Sequence, residues 1–313
     1  STDMLLVTTS DINQSSGVIT ATNFIVDADG SATLTGNNVI DRLAADAGVD
    51  FTFNNTIDLL ITELTCGLTT VTGLTVGGDA NLTLTGQALS NDRAINVTNK
   101  LAIESDSMDF AADVAATDLL LVTTADINQS AGVITATNFI VDAGGSATLT
   151  GNNVIDRLAA DAGVDFAFNN TIDLLITELT CDGTTINGLI VGSDAELTLT
   201  GQALSNDRAI NVTNKLAIET DSMDFAADVI ATDMLLVTTS NINQSSGVIT
   251  ASNFIVDADG SATLTGNNVV DRLAADVGVD FAFNNTIDLL ITELTCDGTT
   301  VNGLTVGDDA ELT

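Results

Sequence analysis

The stretch Thr2–Gly30, TDMLLVTTSDINQSSGVITATNFIVDADG, decides the fold because it occurs three times. It returns as TDLLLVTTADINQSAGVITATNFIVDAGG from Thr117 and as TDMLLVTTSNINQSSGVITASNFIVDADG from Thr232. Aligning Thr2–Ala116 with Thr117–Ala231 gives 14 differences over 115 positions and no insertion. The copies are therefore 2–116, 117–231 and 232–313, the third incomplete. A length of 313 residues alone suggests two domains, but internal repetition points instead to one continuous array over 1–313. One catalytic pocket does not require three near-copies, whereas length, stiffness or many weak contacts do.

Inside each copy, short runs alternate apolar and polar residues between Gly, Asn, Asp and Ser. ATLT at Ala32–Thr35, LTLT at Leu82–Thr85 and INVT at Ile95–Thr98 show the period of two that marks a half-buried strand. In VDFTF, Val49, Phe51 and Phe53 share one face. VIDRLAAD at Val39–Asp46 has a helical look but is too short and too strand-flanked to be a helix. The class is all-β, and two architectures fit it: a parallel β-solenoid, or a string of β-sandwich domains of about 115 residues each. Three features favour the solenoid. GSATLTGNNV at Gly30–Val39 is echoed by DANLTLTGQAL at Asp79–Leu89, and TIDLLITELT at Thr56–Thr65 by ATDLLLVTTA at Ala116–Ala125. The copies abut without a linker. Asn-Gly and Asp-Gly hairpin signals are sparse. About six coils of ~19 residues then fill a copy, rising ~29 Å at ~4.8 Å per coil, and ~75–80 Å for the chain. Asn37–Asn38 and Asn54–Asn55 are candidates for amide ladders at turns. The uneven rungs exclude the left-handed hexapeptide helix and favour a right-handed one.

Composition narrows the function. The chain has no Pro, His, Trp or Tyr. Lacking Pro, it can run as uninterrupted sheet, and lacking His it misses the commonest general base and zinc ligand. No apolar run reaches the roughly 20 residues of a membrane helix, and no signal peptide is read at the N-terminus. With 7 Lys and Arg against 43 Asp and Glu, the formal charge of −36 argues against nucleic acid and anionic membranes as partners. Spread over the expected length, that is about one charge per ~2 Å, close to the ~1.7 Å of duplex DNA. The basic residues fall in phase: Arg42, Arg93 and Lys100, then Arg157, Arg208 and Lys215, then Arg272.

The successions INQSSGVITATNFIV (Ile12–Val26), GSATLTGNNVIDRLAADAGVDFTF (Gly30–Phe53), GLTVGGDANLTLTG (Gly73–Gly86) and AINVTNKLAI (Ala94–Ile103) resemble the repeats of filamentous-haemagglutinin-like exoproteins. These are the large proteins of two-partner secretion and related autotransporters. The resemblance implies a right-handed parallel β-helix serving as an extracellular shaft, often with adhesive activity. Two departures stand out: near-identity over so long a unit, and one Cys per copy in a family that avoids Cys.

Candidate sites are few. Cys66, Cys181 and Cys296 hold one phase, in ELTC. With copies ~29 Å apart they cannot pair within a chain, since a disulfide needs Cα atoms within about 7 Å. They read as small buried hydrophobes, with Leu64 and Cys66 pointing inward, or else as cross-links to a neighbouring chain. VDADGSA offers Asp27 and Asp29, repeated as Asp257 and Asp259, like the start of a calcium loop without its remaining ligands. Gly144 replaces the second Asp in the middle copy. Diffuse Ca²⁺ or other divalent cations over the acidic surface fit better than a dedicated site, and no other cofactor is implied. ESDSMDFAAD at Glu104–Asp113 gathers four carboxylates, the one arrangement suited to glycoside chemistry, but it lacks a positioning base and reads as a solvated loop. The expected function is non-enzymatic and extracellular: a stiff acidic rod in a fibre, sheath or adhesin shaft, self-associating end to end or laterally. The alternatives are an adhesin stalk presenting a tip to a host or cell-surface ligand, and a divalent-cation-binding matrix protein.

Overall fold

The computed structural model describes residues 2–313. Two compact units make it up: residues up to Val154 with Thr180–Thr184, and Ile155–Leu179 with Thr185–Thr313. In each, short strands pair in parallel with strands one turn later, so the chain is an all-β parallel solenoid. No helix occurs among the described residues, and Val39–Asp46 lies within the strand Ala32–Ala47. The turns number about 15, of roughly 19 residues each.

The register follows the alternation. In the first unit one inward column runs Ile12, Ala32, Phe51, Ala80, Leu101, Leu119, with one residue from each turn. Leu119 is the counterpart of Met4, not of Ile12, so the second copy begins one face further round the coil. The second unit repeats the column as Phe166, Ala195, Leu216, Met234. A copy is thus five turns plus the path from Met4 to Ile12, slightly under the expected six. The difference lies in the step from Phe51 to Ala80, where ten residues, Glu63–Thr72, leave the coil as an antiparallel hairpin.

The interior is apolar and aromatic. All eleven Phe side chains are buried, and rings meet within a turn (Phe51–Phe53, 6.0 Å) and between turns (Phe24–Phe53, 6.4 Å). Val49 departs from the predicted face and is 47% exposed, because it sits at a corner before the strand Phe51–Asn55 begins.

Buried amide side chains reach hydrogen-bond partners on neighbouring turns. Asn38 Oδ1 accepts from Gln14 Nε2 (2.8 Å) and from the Ile19 amide (2.9 Å), while its Nδ2 donates to the Leu34 carbonyl (3.0 Å). One turn on, Asn55 accepts from the Ile40 amide and donates to the Ile40 and Ile57 carbonyls. The amide ladder therefore uses the second Asn of each pair, together with Gln14. Asn37 faces solvent.

Candidate functional site

The three excursions carry the cysteines. In the third, Glu293–Cys296 pairs antiparallel with Thr299–Asn302. Asp297 and Gly298 form the tip at φ 48° and 81°, the two left-handed residues a tight I′ turn demands. The second hairpin's tip repeats this with Asp182 and Gly183 at 48° and 86°. The first has Gly67 and Leu68 instead, with only Gly67 left-handed, the II′ pattern. Sparse as such dipeptides are, one Asp-Gly or Gly-Leu pair per copy is enough to turn a strand out of the coil.

Each hairpin lies on the outer wall. Outward-facing Ala217, Leu235, Ile255 and Ala274 are register partners on four successive turns. Leu294, Cys296 and Val301 of the third hairpin cover them. In the first unit Leu64 and Val71 cover Ile25 and Ala44, with Leu5 and Cys66 beside them. Leu64 and Cys66 thus point at the coil from outside rather than into its interior, which corrects the sequence expectation. The arrangement also explains the three-residue apolar runs Phe24-Ile25-Val26 and Leu43-Ala44-Ala45, buried throughout. Their outer members fill the interior and their central member lies under the hairpin.

Four of the seven in-phase cations reach these hairpins. Lys215 Nζ lies 2.5 Å from Asp297 Oδ1, and Lys100 Nζ 2.6 Å from Asp182 Oδ1. The hydrogen bond that Lys215 donates to Asp297 raises the Lys215 pKa. At Lys100, burial works against the charge, but Asp182 and then Asp79 together leave the pKa raised. Arg93 and Arg208 stand 3.9 Å from Glu63 and Glu178 at the hairpin bases. Arg42, Arg157 and Arg272 are exposed.

The cysteines are free thiols. Cys181 and Cys296 are 9% and 8% exposed, and burial, reinforced by Asp118 and Asp233, pushes their pKa up to about 11. Such thiols are fully protonated at neutral pH and poor nucleophiles. Cys66 is half-buried. For cross-linking, the first copy's sulfur is the accessible one.

The calcium-loop candidates fall on an acidic column. Asp27 is the register partner of Asp46, and Asp257 of Asp276. Burial, then Asp27 and Asp29, raise the Asp46 pKa; burial, then Asp276 and Asp259, raise that of Asp257. Asp46 and Asp276 are the members that sequence spacing does not reveal, because a 19-residue offset becomes a contact only once the coil exists. Among the described residues no three His, Cys, Asp or Glu converge as a metal would require.

Many other acids act as staples. Asp11, Asp58, Asp113, Asp173 and Asp228 each accept a backbone N–H from the next turn, from Ser31, Ala88, Val133, Ala203 and Val248, all at 2.9 Å. Asn241 replaces the Asp11 counterpart and still accepts from Ser261 N at 2.8 Å, so the acceptor is kept where the charge is not. Within ESDSMDFAAD, Met108 and Phe110 face inward, Asp113 staples, and Asp106 takes the Thr124 hydroxyl. No protein-family model, curated protein or solved structure matches the chain.

Proposed function

We propose that this chain is a non-enzymatic structural protein of the cell exterior, whose copies build the body of a fibre, sheath or shaft. The observation that carries the reading is that the devices holding the coil recur from copy to copy. The Gln14–Asn38 ladder returns as Gln129–Asn153 and Gln244–Asn268, the corner staples return, and so do the hairpins. The acidic exterior keeps such an array hydrated and spaces it from its neighbours. The likeness of Ile12–Val26 and Gly30–Phe53 to filamentous-haemagglutinin-like repeats favours a second reading, an adhesin stalk whose binding tip lies elsewhere. Divalent cations would screen the Asp27–Asp46 and Asp257–Asp276 columns in lateral packing.

Immunogold electron microscopy of intact cells, in millimolar calcium and in chelator, tests this. Labelled surface filaments, bundled in calcium and dispersed in chelator, are expected. Label confined to the cell interior would refute the reading. Label gathered below a distinct filament tip would select the stalk.

A further inference from the structure

We propose that the second and third hairpins are latches by which one copy holds the last turns of the copy before it, so that consecutive copies open together. The third hairpin leaves the coil after Ile291 and rejoins it at Leu304. From there it reaches back over Ala274, Ile255 and Leu235 of its own copy to Ala217 and Lys215 of the second copy. The Lys215–Asp297 contact spans 82 residues. Lys100 and Asp182 repeat it across the same separation. The coupling is directional: a later copy fastens an earlier one.

At the tip an ion pair adjoins incompletely filled space. Beside the pair lies a cavity of about 230 Å³ lined by Asp297 and Thr299 of the hairpin and by Glu196, Ala217 and Glu219 of the preceding copy. One of about 240 Å³ recurs beside Asp182, against Asn81, Ala102 and Glu104. Opening therefore starts at the tip, at the ion pair. The first hairpin serves as an internal contrast. Its Gly67–Leu68 tip offers no carboxylate, Cys66 is only half-buried, and Leu68 is fully exposed.

Thiol labelling reads the latch directly. The full chain would be reacted with N-ethylmaleimide at neutral pH and each adduct located by peptide mass. Cys66 should react fastest. Lys215→Met should speed labelling of Cys296 about fivefold and leave Cys181 unchanged, and Lys100→Met should do the converse. Lys215 lowers the pKa of the Cys296 thiol, so losing its charge would by itself slow the reaction; acceleration therefore reports opening. Coupling between copies is read by hydrogen exchange in Asp297→Asn, a substitution the left-handed tip tolerates. Amides of Lys215–Thr220, in the second copy, should exchange about fivefold faster, with Phe166–Asn170 unchanged. Unaltered Cys296 labelling in Lys215→Met, or faster exchange confined to the hairpin, would overturn the proposal.

Discussion

At the scale of the residue, the fold rests on polar groups placed where a coil must turn. Asn268 is fully buried, accepts from Gln244 Nε2 and the Ile249 amide, and donates to the Leu264 carbonyl. Asn268→Ala strands those partners away from water and should cost about 2–4 kcal/mol in chemical denaturation, well above a typical surface change. The acidic columns act in the opposite sense. Asp257 has a raised pKa in the folded state, so folding there favours the protonated form. Its penalty is complete above that raised pKa and fades as pH falls through it toward 3.8, below which both states are protonated. Asp257→Asn should therefore raise Tm at pH 7 and leave it unchanged near pH 3. The Asn pairs are legible in the sequence as ladder residues, but which Asn of each pair turns inward is not. Gln14 carries no signal either, because its partner lies 24 residues away.

At the scale of the element, the strands are readable and the hairpins are not. Alternation at Ala32–Thr35, Leu82–Thr85 and Ile95–Thr98 maps onto real strands with the expected inward residues. TIDLLITELT looks like another coil segment because Leu59–Ile61 is one, and the chain departs only two residues later. The outgoing signal, Asp-Gly at the tip, is present in two copies and replaced by Gly67–Leu68 in the one read first. The apolar triplets are a further trace of the hairpin, since a strand with one solvent face has no reason to bury a central residue. Close stacking makes its own demand at the corners. A Cβ on Gly77 would stand 2.1 Å from the Gly48 carbonyl oxygen, and Gly192 meets Gly163 in the same way. Gly77→Ala should cost more than 2 kcal/mol, where an exposed substitution costs under about 0.5, as thermal melting would show.

At the scale of the whole molecule, the central claim is that the copies are turns of one kind of coil rather than separate sandwich domains. Repetition and the missing linkers make that legible in the sequence. The five-and-a-fraction turns per copy are not, because the count depends on how many residues leave the coil at Glu63–Thr72. The charge of −36 is legible as a number, but its use in turn-to-turn staples emerges only from the register. X-ray diffraction from oriented fibres of the purified chain tests the claim most directly. The account predicts a strong meridional reflection at about 4.8 Å, the spacing of turns stacked along the axis. An axial period of about 35–45 Å without that meridional reflection, as strung sandwich domains would produce, would contradict it.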